Sequence, residues 1–428
     1  MESLYLTAGD LRFEVTEGSN GRRLRDILGQ LIQVNDLCLL VGTGASFHLG
    51  APKIRSVDSQ IVKEMCATAG LKLEERHSQL LDQMIPEGTD LEHFLGQLVA
   101  CRSYAAAFKL TDVTVGEVEC TSDELENLFV AVNVGLAWAC DLPNADCDPE
   151  FESDPLKAHR DLLGRLVAAR RPDAPRLKVF TTNYDTVIER TLDESGVTFI
   201  DGFLGSIDRQ ISLASYNRDV YYAPNADKGT VRRVPDLVHL YKLHGSLTWR
   251  SRHSSLGSTT VTQSAGPPAG DEVAVIYPTP TKESDVLGHP YSDFLRLFGA
   301  AVSEPECALL VIGYGFADEH INRIIFDGMA RNGSLQLFIA DPFGVVESYD
   351  GDQAPPVVER SDSPVGRLSA VKDSRISVLT GEAAIFPRLA EAFPDVTDLP
   401  PAGQDRIEDV LAAALLRQAD TSAMDVGQ

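Results

Sequence analysis

Four short segments contain residue types that can contact a phosphate, orient a hydroxyl or move a proton. In chain order they are Gly42-Thr43-Gly44-Ala45-Ser46, Thr181-Thr182-Asn183-Tyr184-Asp185, Lys242-Leu243-His244-Gly245-Ser246 and residues 313–322, GYGFADEHIN. Paired glycines let backbone N–H groups approach a pyrophosphate, an asparagine both donates and accepts hydrogen bonds, and a histidine titrates near neutrality. The glycine-containing first and last segments suit the two phosphate or ribose groups of a dinucleotide.

Each segment also has a purely structural interpretation. Gly42 and Gly44 do not complete G-x-G-x-x-G, because position 47 is Phe, so they equally suit a tight turn between a strand and a helix. The Asn and Asp of the second segment suit the capping of a helix that starts near Thr186, and Asp318 suits a cap or a partner of a helix dipole. A single histidine such as His244 is more often structural than catalytic. The residues alone leave both interpretations open.

Short apolar runs place these segments at the ends of buried strands. Runs of this length that end in glycine or polar residues are typical of parallel strands covered on both faces. Several are followed by a helical pattern, which predicts an α/β, Rossmann-like fold with a parallel sheet. The predicted strands lie within residues 35–46, 177–182, Val238–Leu243, Val273–Tyr277, Leu309–Ile312 and Leu335–Ala340.

A long, mostly helical stretch separates the first two strands, at about residues 55–171. Thr121 and Glu124 match a capping box before an apolar run, and Leu91–Leu110 and Asp154–Arg171 also have helical patterns. The stretch is too long for one crossover helix. We therefore predict a large helical insertion that covers the sheet.

The chain is divided into three parts on these patterns. We predict an N-terminal segment at 1–34, a nucleotide-binding domain at 35–345 that carries the insertion, and a linker with a short C-terminal helical segment at 346–428. Within the domain, residues 251–270 are rich in Ser, Gly, Thr and Pro and predict a mobile loop. The C-terminal helix is predicted from the i, i+3, i+4 spacing of Ile407, Val410, Leu411, Ala414 and Leu415.

The composition excludes several classes of function. The 428 residues include 38 Lys and Arg against 63 Asp and Glu, a net charge of −25, which argues against direct binding to nucleic acid or to anionic lipid. Neither a signal peptide nor an apolar stretch long enough to cross a membrane is evident. The seven cysteines form no C-x-x-C pair. We therefore expect reduced thiols in a cytoplasmic protein and no structural metal site.

Taken together and in order, GTGAS, TTNYD, KLHGS and GYGFADEHIN resemble the sirtuin family, specifically its sirtuin-like NAD-hydrolase branch of prokaryotic antiphage systems. The resemblance covers about residues 35–345 and implies that NAD is the substrate. It implies that Asn183 and His244 are catalytic. The residues that it implies for NAD binding are Gly42, Gly44, Ala45 and Ser46 at the pyrophosphate, Asp185 at the nicotinamide pocket, Gly313, Gly315 and Asp318 near the adenosine ribose, and Thr182. By its position after a strand, Asp341 is expected on the adenosine side.

The chain lacks the two C-x-x-C pairs of the zinc module in deacylating sirtuins, which puts deacylation in doubt. The resemblance then implies hydrolysis of NAD to ADP-ribose and nicotinamide, and depletion of NAD in antiphage defence. It also implies a gated homo-oligomer with a HerA-type ATPase as partner. Two other functions stay open, a non-catalytic sensor of NAD or ADP-ribose and an NAD-dependent protein deacylase. The presence of both Asn183 and His244 favours catalysis over sensing.

Overall fold

The computed structural model describes residues 5–8, 11–14, 19–52, 57–86, 89, 91–225, 229–253, 259–268, 274–276, 290–342 and 364–399. The strands are β1 (Tyr5–Ala8), β2 (Leu11–Glu14), β3 (Asp36–Val41), β4 (Asp112–Val115), β5 (Val118–Thr121), β6 (Leu177–Thr181), β7 (Thr198–Ile200), β8 (Phe203–Leu204), β9 (Gln210–Ile211), β10 (Tyr221–Asn225), β11 (Thr230–Arg233), β12 (Leu237–Lys242), β13 (Gly245–His253), β14 (Thr259–Gln263), β15 (Ala274–Ile276), β16 (Cys307–Ile312), β17 (Gln336–Ala340) and β18 (Ile376–Thr380).

The α-helices are α1 (Ser19–Ile32), α2 (Ser59–Thr68), α3 (Glu75–Met84), α4 (Leu91–Phe108), α5 (Ser122–Ala139), α6 (Lys157–Ala168), α7 (Val187–Glu194), α8 (Tyr291–Val302), α9 (Glu319–Arg331), α10 (Pro364–Ala370) and α11 (Phe386–Ala392). Short 3₁₀ helices lie at Thr43–Leu49, Leu213–Asn217, Glu382–Ala384 and Val396–Asp398. Among the described helices, none combines the length and the apolar character that a bilayer crossing needs.

A parallel sheet of seven strands forms the centre of the fold, in the order β18-β17-β16-β3-β6-β12-β7. The hairpin β1–β2 extends it by antiparallel pairing with β18. Every residue of β3 and of β16 is buried, as expected for central strands whose two faces are both covered. The predicted α/β, Rossmann-like fold is thereby confirmed.

The strand order reverses direction between β3 and β16. From β3 the chain proceeds to β6 and β12 on one side, and it later returns to β16, β17 and β18 on the other side. In open α/β sheets, ligands bind beyond the carboxyl ends of the strands at such a switch point. The topology therefore predicts a ligand site at the loops that follow these strands.

Two apolar layers enclose the sheet. Helices α1, α6, α7 and α11 cover one face, with side chains such as Leu28, Leu166 and Leu389 fully buried. Helices α8, α9 and α10 cover the other face, together with a five-stranded antiparallel sheet of order β15-β13-β14-β9-β8. Because β13 begins three residues after β12 ends, the third chemical segment lies where the two sheets join.

The helical insertion has its own hydrophobic core. Helices α2 to α5 and the hairpin β4–β5 bury Leu80, Phe94 and Leu128 among others. The predicted capping box is confirmed, since the Thr121 hydroxyl accepts from the Glu124 N–H and the Glu124 carboxylate accepts from the Thr121 N–H. The next helix, α6, packs on the parallel sheet rather than in this core.

Two predictions on the second half of the chain need correction. Residues 251–270, predicted as a loop, contain the end of β13 and all of β14, because the β-branched run Thr259–Thr262 pairs with β13. The run predicted at Val273–Tyr277 contains β15, but this strand pairs antiparallel with β13 instead of extending the parallel sheet. The C-terminal helix predicted at 407–415 lies outside the described residues.

Candidate active site at the carboxyl ends of the strands

All four chemical segments leave the parallel sheet at the same level. Ile312 pairs with Val41, Val41 with Thr181, and Thr181 with Lys242, and each of these four residues is the last of its strand. The segments therefore lie side by side along one edge, as their positions after buried runs predicted. Ala340, which pairs with Ile312, brings the following residue, Asp341, to the same edge.

The two glycine loops pack directly against each other at the switch point. The Gly42 N–H donates to the Ile312 carbonyl at 3.0 Å, and the Gly44 N–H donates to the Gly313 carbonyl at 2.9 Å. A Cβ on Gly42 would lie 2.5 Å from the Gly313 oxygen, and one on Gly313 would lie 2.3 Å from the Ala45 nitrogen. Gly313 also has a φ of +65°. The glycines thus allow contact between the loops, and the N–H groups of Gly42 and Gly44 bond to protein carbonyls.

A buried chain of hydrogen bonds fixes the side chain of Asn183. Its Nδ2 lies 3.2 Å from Ser46 Oγ, and Ser46 Oγ lies 3.1 Å from Asp185 Oδ2. An ionised carboxylate only accepts, so the single Ser46 proton is donated to Asp185 and Ser46 accepts from Asn183. The amino group of Asn183 therefore faces Ser46, and its Oδ1 faces the other way.

The Oδ1 atom of Asn183 is an acceptor that no donor in the described part of the chain reaches. It is buried and has no hydrogen-bond partner among the described residues. An unsatisfied buried acceptor costs about 1–3 kcal/mol, so such atoms are usually satisfied by a ligand or by water. A ribose hydroxyl or a water molecule could supply the missing donor. This orphaned oxygen is the observation that best fits a bound substrate.

A buried lysine, Lys242, donates a hydrogen bond to the backbone of the loop that carries Asn183. Lys242 is 3% exposed, and its ammonium donates to the Asp185 carbonyl and, at 3.0 Å, to Glu189 Oε1. Burial raises the pKa of both the Asp185 and the Glu189 carboxyls, although the charge of Lys242 opposes this. Sequence reasoning missed the roles of Lys242 and Glu189, because nothing local indicates that the two side chains meet.

Asp185 also has the structural role that its position suggested. Its Oδ1 accepts from the Val187 N–H at 3.0 Å at the start of α7, while its Oδ2 accepts from Ser46. The helix-start interpretation therefore holds for this carboxylate, and its second oxygen belongs to the hydrogen-bond chain that fixes Asn183. By contrast, the Asn183 side chain donates to Ser46, and its Oδ1 accepts no N–H at the start of α7.

His244 contacts Asp318, a contact that the sequence does not indicate. The His244 Nε2 lies 3.1 Å from Asp318 Oδ2, and both side chains are about nine-tenths buried. The other oxygen, Oδ1, accepts from the N–H groups of His320 and Ile321 at the start of α9, so the predicted cap is confirmed. The resemblance implied an adenosine-side role for Asp318, and the structure places its carboxylate beside His244, the candidate base.

The remaining predicted residues are distributed along the same edge. The Thr182 N–H donates to the Val41 carbonyl, Ala45 is fully buried, and Gly315 is exposed. Asp341 follows β17, which is three strands away from β6 and the Asn183 loop. At about 4.8 Å per strand this corresponds to roughly 14 Å. That spacing would suit a part of the substrate far from Asn183.

One comparison with known proteins gave a match. Residues 177–355 match the family model of the SIR2-like domain, a region that includes TTNYD, KLHGS and GYGFADEHIN and begins after the first glycine loop. Residues 177–355 are thus similar to SIR2-like domains, and domains of this kind use NAD. A search of curated proteins gave no match. Within the described residues, no three His, Cys, Asp or Glu side chains are grouped so that they could hold a metal ion.

Proposed function

We propose that this chain, part of which is similar to SIR2-like domains, hydrolyses NAD to ADP-ribose and nicotinamide with water as the nucleophile. The proposal depends on one observation above all, the buried acceptor Asn183 Oδ1 with no donor among the described residues. An oriented acceptor and a histidine on loops that follow two paired strands suit the activation of water better than simple binding of a nucleotide.

Cleavage of the nicotinamide–ribose bond resembles glycoside hydrolysis, which passes through an oxocarbenium-like state. Nicotinamide leaves as a neutral molecule and needs no acid, so the protein must mainly position the nucleophile and accept its proton. We assign the first task to Asn183, whose Oδ1 would accept from a water or ribose O–H. We assign the second task to His244. General base assistance of this kind contributes roughly 10²–10⁴-fold.

The sheet register supports joint action of the two residues. Thr181 and Lys242 are paired in the parallel sheet. Asn183 lies two positions after Thr181, and His244 lies two positions after Lys242. The Leu243 N–H also donates to the Thr181 carbonyl at 2.8 Å, which continues the pairing into the loops. The two side chains therefore start from neighbouring points of the same edge.

Substrate binding is proposed for the rest of the edge. Ser46 and Asp185 would line the part of the site that holds nicotinamide, where their hydrogen bonds orient Asn183. The loops around Ala45 and Gly313, with Thr182 and Gly315, would contact the pyrophosphate and the adenosine ribose, and Asp341 would lie on the adenosine side. This assignment follows the resemblance and the order of the strands, except for Ser46, which the resemblance implied at the pyrophosphate and which is assigned here by its hydrogen bonds to Asn183 and Asp185.

Chromatography of NAD incubated with the purified protein tests the proposal. Nicotinamide and ADP-ribose should appear in equal amounts, and His244→Ala should abolish both. His239→Gln is the matched control, because His239 lies in β12, the strand that leads to His244, but outside the site. Binding of NAD without cleavage would instead support a sensor, and cleavage only with an acyl-lysine peptide would support a deacylase.

We also propose that the activity is gated by assembly in antiphage defence, with a homo-oligomer and a HerA-type ATPase as partner. The structural support is a direct contact between the insertion and the site. Tyr184, between Asn183 and Asp185, is buried in the core of the insertion together with Leu247. A partner that binds the insertion could thereby act on the catalytic loop. Light scattering and NAD turnover with and without a co-expressed ATPase test this; full activity of a monomer would refute it.

A further inference from the structure

One carboxylate, that of Asp318, connects the start of a helix to the candidate base. Its Oδ1 accepts from two backbone N–H groups at the start of α9, at 2.8 and 3.3 Å. These two bonds fix the carboxylate plane, and the second oxygen then points to His244 Nε2 at 3.1 Å. A residue that only capped the helix would not need a histidine at its other oxygen.

The loop before Asp318 is built to hold this geometry. The Tyr314 hydroxyl lies 3.1 Å from the Asp318 carbonyl oxygen and 3.0 Å from Asn322 Oδ1, and the Asn322 amide donates to the Phe316 carbonyl at 2.9 Å. Phe316 has a φ of +52°, which is unfavourable for a bulky residue and persists only when surrounding contacts impose it. Strain of this kind is concentrated at functional sites.

We propose that Asp318 is a positioning residue that holds His244 in one tautomer. An ionised carboxylate only accepts, so Nε2 must carry the proton that is donated to Asp318. In the neutral imidazole the other nitrogen, Nδ1, is then the acceptor. The contact thus assigns Nδ1 as the atom that takes the proton of the nucleophile.

This inference deepens the proposed function and depends on it for its chemical step. As the C–N bond to nicotinamide breaks, its electron pair stays on nicotinamide, and the water oxygen forms a bond to the same ribose carbon. One water proton passes to His244 Nδ1, and the imidazolium is stabilised by Asp318 before the proton leaves to solvent. NAD⁺ and water therefore give ADP-ribose, nicotinamide and one proton.

The substitution Asp318→Asn separates positioning from capping. Asparagine caps helices about as well as aspartate does. If its oxygen keeps the cap, its amino group faces His244 Nε2, which then has to accept, so the ring proton moves to Nδ1 and the base is blocked. Asp58→Asn is the matched control, because Asp58 caps α2 through one N–H, that of Ile61, at 2.8 Å.

Two readouts decide the inference. We expect Asp318→Asn to lower kcat for NAD by about 10²-fold or more with little change in KM, and Asp58→Asn to leave both unchanged, while both variants show similar small losses in Tm. Nitrogen NMR of protein labelled at histidine, with the His244 signals assigned by His244→Gln, should show the Nε2–H tautomer in the wild type and its loss in Asp318→Asn only.

The NMR readout does not need turnover. If the wild type cleaves no NAD, the proposed function fails, yet the spectra still decide whether Asp318 sets the tautomer. If the His244 tautomer is the same in Asp318→Asn as in the wild type, or if kcat falls no more than in Asp58→Asn, the positioning role is refuted.

Discussion

Removal of the buried Lys242 ammonium should strongly destabilise the fold. In Lys242→Met the side chain keeps a similar length, but the charge that contacts Glu189 and the Asp185 carbonyl is lost. The Glu189 side chain is only 12% exposed and has a second oxygen, Oε2, that is buried without a partner among the described residues. The substitution therefore leaves a buried carboxylate without its cation.

The two contacts of the Lys242 ammonium determine how much stability its removal should cost. Removal of one partner of a buried ion pair costs about 3–5 kcal/mol, because the remaining charge is left in a poorly hydrated environment. Hydrogen bonds to charged groups contribute roughly 1.5–3 kcal/mol each, and two are lost here, which gives a similar range. We therefore expect Lys242→Met to lower the free energy of unfolding by about 3–5 kcal/mol.

A double substitution tests the cause. Lys242→Met/Glu189→Gln removes both charges, so it should be more stable than Lys242→Met alone. Urea unfolding followed by fluorescence gives each free energy. The pair Lys178–Asp36, at the opposite end of β6, is the control: Lys178 is 19% exposed, so Lys178→Met should cost less.

Two results would refute this reasoning. The first is a loss of less than about 1 kcal/mol in Lys242→Met, which is the range of exposed ion pairs. The second is a double variant that is no more stable than the single one. Either result would mean that water reaches the pair, and the pKa values of Asp185 and Glu189 would then not be raised by burial.

Three further predictions concern the same edge of the sheet. Asn183→Ala should abolish NAD turnover yet change the free energy of unfolding by less than about 1 kcal/mol, because it also removes an unsatisfied acceptor; a loss above about 2 kcal/mol would indicate a structural role. Gly42→Ala should lower the Tm, since its Cβ meets the Gly313 backbone, whereas Gly164→Ala in α6, where the Cβ has open space, should leave the Tm unchanged or raise it; thermal melts compare the two directly. Because burial raises the Glu189 pKa, its carboxyl contributes stability that is present below its ordinary pKa of 4.5 and is lost as pH rises through the raised value; Glu189→Gln should flatten the stability–pH curve in that window.

The parallel sheet and the positions of the site segments were predictable from local patterns. Continuous apolar runs such as Leu37–Val41 and Leu309–Ile312 are typical of strands whose two faces are both covered, and the polar residues that follow them emerge at the strand ends. Since parallel strands end at one edge, Asn183, His244 and Asp318 were expected on the same side of the molecule.

The pairings among these residues were not predictable, because they depend on contacts distant in sequence. Asp318 and His244 are 74 positions apart, and Ser46 and Asn183 are 137 apart. The strand β14 was missed for a different reason. Serine and glycine dominate residues 251–270 as a whole and outweigh the short β-branched run at Thr259–Thr262, whose partner β13 supplies the ladder.

The position of β16 in the sheet has a consequence for synthesis on the ribosome. This strand lies between β3 and β17, and its loop supplies both the Gly313 contact with the first glycine loop and the Asp318 contact with His244. A nascent chain that has exposed only the first 300 residues has β3, β6 and β12 but neither contact. Translation would therefore complete the crevice late, so that truncated or stalled products would lack an assembled site.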